Sequence, residues 1–153
     1  KLHRDAGRQA QAVADLRAAI SAGPGMVKAR INLAIAWMDV HDLAGAETEL
    51  RAALQIEPRN PRALTNLGEV LRATGRAQAA VTLYREALDA DATYSHAAAR
   101  LGVTLENLGD RQGALAAYRE FLARGTTSPT DREAALKKVK ALEQATGATA
   151  PDQ

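Results

Sequence analysis

Apolar residues recur along most of this chain at spacings of three and four. Ala63, Leu67 and Leu71 share one face of a helix, and Ala80, Tyr84, Ala87 and Leu88 share one face of the next. Gly75 stands between them, where the chain must turn. Long stretches lack the β-branched and aromatic runs that strands favour. The pattern predicts short amphipathic helices paired by tight turns.

Sliding the sequence against itself by 34 residues superposes these pairs. Leu67, Gly68, Leu71, Gly75, Ala80, Tyr84 and Leu88 fall on Leu101, Gly102, Leu105, Gly109, Ala114, Tyr118 and Leu122. One step back, Ala29, Asn32, Leu33, Ala46 and Leu54 fall on Ala63, Asn66, Leu67, Ala80 and Leu88. A further step places Ala12, Leu16, Ala19 and Pro24 on Ala46, Leu50, Ala53 and Pro58. The expected units are 27–60, 61–94 and 95–128. A half unit, 1–26, precedes them with the end of one helix and the whole of a second. Turns are expected at Gly7-Arg8, His41-Asp42, Gly75 and Leu108-Gly109-Asp110, and Pro24 and Pro58 close units because proline cannot continue a helix.

Two columns of small residues accompany the repeat. Ala34, Gly68 and Gly102 form one, and Ala46, Ala80 and Ala114 form the other. Glycine inside a helix costs about 1 kcal/mol relative to alanine. Such a cost is tolerated where helices approach closely, so the two columns are expected to face each other.

The end of the chain departs from the repeat. Thr130 and Glu133 have the spacing of a capping box, and a more polar helix to about Gln144 carries Ala134, Leu136, Val139 and Leu142 among lysines. It reads as a terminal capping helix over 129–146, followed by a disordered tail at 147–153. The opening at Lys1, without methionine or an apolar signal stretch, is expected of a piece of a longer protein or of a processed form.

Composition agrees with the helical reading. Hydrophobic residues make up 46% but aromatics only 3%, so the core must be built from Ala, Leu, Val and Ile. The net charge of +2 is too weak a field to argue for nucleic acid, and a basic stripe interleaved with aromatics is missing. No stretch approaches the length of apolar residues that spans a membrane, so direct membrane insertion is not expected. Cysteine is absent, which removes disulfide and thiol chemistry and leaves the compartment open between cytoplasm and periplasm.

The run Leu67-Gly68, Leu71, Gly75, Ala80, Tyr84 and Ala87, repeated in Gly102, Gly109, Ala114 and Tyr118, resembles the tetratricopeptide repeat signature. The tryptophan usual early in the first helix is absent. Leu64 and Ala98 stand there, Trp37 sits in the column of Leu71 and Leu105, and Ala92 replaces a closing proline. The resemblance covers residues 1 to about 125. It implies an all-α fold: a right-handed α-solenoid of antiparallel helix hairpins, whose first helices line a concave groove that binds protein or peptide.

On that resemblance the contact residues are Lys28, Ile31, Asn32, Ile35 and Met38 in the first full unit, Arg62, Asn66, Glu69 and Arg72 in the second, and His96, Arg100 and Val103 in the third. Ile31, Ile35 and Met38 are apolar at spacings of four and three. Two readings of them stand: a pocket for a partner's apolar side chains, or a packing surface covered by the preceding unit. Asn32 and Asn66 share a column with Arg100, and amides there would donate to and accept from a peptide backbone. Some members of the family clamp the terminal carboxylate of chaperones, with Lys then Asn, Asn, and Lys then Arg. This chain has Ile31, Ile35, Asn66, His96 and Arg100 at those positions, so such a clamp is not expected.

Candidate chemistry is sparse. His3, His41 and His96 lie in separate units without a second ligand at helical spacing, so no metal or cofactor is expected. Ser21, Ser95 and Ser128 stand at helix ends, where hydroxyls cap backbone amides. Gly23-Pro24-Gly25 is a turn without the Lys-Ser/Thr of a phosphate loop. The expected function is a non-catalytic scaffold that binds a peptide or helix of a partner. The alternatives are an array that packs on copies of itself and a recruiting domain of a larger enzyme.

Overall fold

The computed structural model describes residues 2–23, 25–123 and 128–147, and those residues form helices and turns without a strand. The helices are α1 (Leu2–Ala22), α2 (Val27–Asp39), α3 (Leu43–Ile56), α4 (Pro61–Ala73), α5 (Ala77–Ala90), α6 (Ser95–Asn107), α7 (Arg111–Ala123) and α8 (Pro129–Thr146). Pairs α2–α3, α4–α5 and α6–α7 pack as hairpins, each hairpin packs on the next, and the first helices α2, α4 and α6 also touch in series. The result is a tetratricopeptide-like α-solenoid.

Local chemistry explains where the helices begin and end. Asp42 and Asp110 accept hydrogen bonds from the backbone N–H of Gly45 (2.9 Å) and Gly113 (2.8 Å), satisfying donors that the first turn leaves open. Asn60 caps α4 through Ala63 N–H (3.0 Å), ahead of Pro61, which has no N–H to lose. The hairpin turns place Gly75 and Gly109 at φ of 81° and 82°. His41, at the equivalent position, adopts φ 61° without glycine's freedom.

The faces predicted to be apolar are the core. Ala63, Leu67, Leu71, Ala80, Tyr84, Ala87 and Leu88 are all buried, with counterparts in the neighbouring hairpins. The glycine column has a specific neighbour on the second helix. A Cβ on Gly68 would meet the ring of Tyr84, and one on Gly102 would lie 2.7 Å from Tyr118 Cε1. Glycine on the first helix therefore admits a tyrosine from the second.

Three expectations are corrected. Gly7-Arg8 makes no turn, because α1 is a single helix from Leu2 to Ala22 and Gly7 has no positive φ. The cap of α8 is Ser128, not Thr130: its hydroxyl accepts from Asp131 N–H at 3.2 Å, and Pro129 takes the first helical position. Ser95 opens α6 without a side-chain cap, and Ser21 lies in the last turn of α1. Helix α8 runs to Thr146 and ends on Gly147 in the left-handed region. Pro24 and the tail beyond Gly147 lie outside the described residues.

Candidate interaction groove

Helices α2, α4, α6 and α8 start at residues 27, 61, 95 and 129, one repeat apart, so α8 continues the row of first helices. It does so with a difference. Its main contact is with α7, and its backbone packs less closely on α6 than α2 does on α4 or α4 on α6. Between α6 and α8 lies a groove of about 770 Å³. Ser95, His96, Ala99, Arg100 and Val103 form its α6 wall, and Asp131, Ala134, Ala135, Lys137, Lys138 and Ala141 its α8 wall. Tyr118 and Phe121 of α7 complete the lining. The many alanines leave the space unfilled.

One column shows why the groove opens here. Ile31 and Thr65 are 2% and 0% exposed, on helices whose first-helix neighbour touches them, while Ala99 at the same position is only half-buried. Ile31 belongs to the core, so it is not open to a partner. Ile35 and Met38 are half-buried and pack against the same core. Of the two readings of this apolar trio, packing is the one the burial favours.

The polar candidates are engaged with one another. Arg62 donates to Asn32 Oδ1 at 3.0 Å, which occupies one member of the asparagine column. Asn66 is half-buried and Lys28 is exposed. Glu69 collects three donors: Arg100 Nε at 3.0 Å, Arg72 at 3.1 Å and the Tyr84 hydroxyl at 3.1 Å. Arg72 Nε is buried without an acceptor among the described residues. Glu106 accepts from Lys138 Nζ at 2.8 Å and from the Tyr118 hydroxyl at 3.1 Å. The Lys138–Glu106 pair thus spans the groove from α8 to α6.

Burial first, and then the adjacent carboxylates, hold the Tyr84 and Tyr118 phenols well above their ordinary values, so both remain donors. Burial, reinforced by Arg100, lowers the His96 imidazole, which packs edge-on to Tyr94 with ring centroids 6.3 Å apart. No three His, Asp or Glu side chains converge as metal ligands among the described residues, and no described helix is long and apolar enough to cross a membrane.

Of the candidate residues, the structure brings His96, Arg100 and Val103 together on one wall, with Glu69 and Arg72 wired behind Arg100. The whole α8 wall was missed, as were Tyr118 and Phe121. The signal for it was present: Ala134 and Lys137 fall one repeat after Arg100 and Val103.

The sequence matches the tetratricopeptide repeat family over residues 1–56 and again over 32–95. Solved structures share the fold. The crystal structure of MamA superposes with a TM-score of 0.80 at 19% identity, over 94% of this chain and 82% of that one. The Sgt2 tetratricopeptide domain from Aspergillus fumigatus gives 0.68 at 25% identity, over 83% and 86%. PilF from Pseudomonas aeruginosa gives 0.80 at 24% identity, and its alignment spans 95% of this chain and 64% of that one. No curated protein matches the sequence.

Proposed function

The chain belongs to the tetratricopeptide repeat family, and on that premise we propose that it takes a segment of a partner protein into the groove between α6 and α8. The family is one of protein-interaction scaffolds, generally without catalysis of their own. The observation that carries the reading is the groove of about 770 Å³ between α6 and α8 at the end of the first-helix row, floored by Tyr118 and Phe121. A concavity of this size with a few polar groups on its walls is the usual form of a binding site. The contact surface accordingly moves from Ile31 toward Ala99, Arg100, Val103, Ala134 and Lys137.

Selection of a random dodecapeptide library on the immobilised chain tests this. Ala134 is exposed and lines the groove, so Ala134→Phe fills the space without entering the core. Peptides enriched on the parent and lost on Ala134→Phe, with melting unchanged, are the expected result. Equal enrichment on both proteins would refute the groove.

A further inference from the structure

Three of the four cations around the groove already have carboxylates supplied by the chain itself. Arg100 and Arg72 share Glu69, at 3.0 and 3.1 Å, and Lys138 is held by Glu106 at 2.8 Å. Glu69 and Glu106 are only 12% and 30% exposed, so these anions sit in the surface rather than waving in solvent. Lys137 adds one more cation to the walls, and Asp131 one more anion. Four cations thus stand against three carboxylates. Burial and then Arg100 lower the His96 imidazole.

This arrangement discriminates between ligands. An acidic side chain aimed at Arg100, Arg72 or Lys138 must displace a carboxylate that is tethered next to its cation, and a tethered group competes at a high effective concentration. It would also leave that carboxylate unpaired beside it. An apolar side chain meets neither obstacle and covers Ala99, Val103, Ala134 and Phe121, which line the groove. From these contacts we infer that the groove selects an acid-poor segment of a partner protein that inserts a large hydrophobic side chain between α6 and α8. The inference rests on the groove reading above and adds the chemistry of the partner.

The same library separates the two. Sequences retained after counter-selection on Ala134→Phe should be enriched in aromatic or large aliphatic residues and depleted in Asp and Glu. Their affinities should change by less than about threefold as added salt shortens the Debye length from roughly 10 to 3 Å. Selection on Glu69→Gln/Glu106→Gln, which removes both internal anions, should turn toward acidic sequences. Glu106→Gln alone provides the same comparison if the double variant folds poorly. Acidic sequences dominating on the parent, or no change of selection on the glutamine variants, would overturn the inference and leave the groove standing. Absence of any enrichment over Ala134→Phe would overturn both.

Discussion

The ring of Tyr84 fills the space that a side chain at Gly68 would need, so the two residues are a matched pair across the α4–α5 hairpin. Gly102 and Tyr118 repeat the pair, and Ala34 and Leu50, both fully buried, stand at the equivalent positions in the preceding hairpin. Gly68→Ala gains about 1 kcal/mol of helix propensity against an overpacking cost of about 1–3 kcal/mol. The expected outcome is a net loss of about 1 kcal/mol, measured by urea unfolding. Adding Tyr84→Leu, which copies the Ala34–Leu50 pair, should recover most of that loss in a double-mutant cycle. A stabilised Gly68→Ala protein would show that the ring does not occupy this space.

Gly7 and Gly75 occupy equivalent positions in the repeat, yet only Gly75 has a positive φ. Since Gly7 lies in continuous helix with open space around its missing Cβ, Gly7→Ala should stabilise the chain by about 1 kcal/mol. Gly75→Ala should destabilise it by about 1–2 kcal/mol, because alanine resists the left-handed region. Thermal melts of the two variants check this: a destabilising Gly7→Ala would restore the turn that α1 lacks.

Ile31 is a core residue, 2% exposed, while Lys28 one turn earlier is exposed. Ile31→Ala should therefore cost about 2–4 kcal/mol of unfolding free energy. Lys28→Ala should stay within about 0.5 kcal/mol of the parent. Denaturant titrations distinguish them, and an Ile31→Ala protein of unchanged stability would put this side chain back on the binding surface.

Glu47 accepts a 2.6 Å ion pair from Arg76 and a 2.8 Å one from Arg51. The Arg76 bond, assisted by Arg51, lowers its carboxyl from 4.5 to about 2, although burial pushes the other way. A carboxyl depressed on folding stabilises the native state above its unfolded value and loses that contribution as pH falls toward the folded one. The stability advantage of the parent over Glu47→Gln should thus be full at neutral pH and shrink as pH falls from about 4.5 toward 2. Urea midpoints of both proteins at several pH values between 7 and about 3 check the sign. An advantage that does not narrow would mean the ion pairs do not persist in solution.

Much of the fold was readable because repetition converts weak local signals into strong ones. No single glycine announces a hairpin, but Gly75 and Gly109 in one column do, and the same register identifies His41 as a turn despite its side chain. Register also misled. It carried the turn back to Gly7, where the backbone is continuous helix. Nor did it reveal the tyrosine ring beside each glycine, since periodicity gives a residue's face but not the size of what lies opposite. The groove was half legible. His96, Arg100 and Val103 follow from the first-helix register, but α8 looked like a cap because its charged residues outnumber its large apolar ones. Its distance from α6 depends on packing against α7, which no pattern within α8 records.

The central claim, a partner segment seated between α6 and α8, is tested most directly by mapping where a selected peptide touches the protein. Backbone amide NMR shifts of the isotope-labelled chain, followed during titration with an enriched peptide, provide that map. The account predicts perturbations clustered at Ala99, Val103, Ala134, Lys137 and Ala141, with α1 and α3 unmoved. Perturbations centred on α2 around Asn32 and Met38, or spread over the second helices α3 and α5, would contradict it.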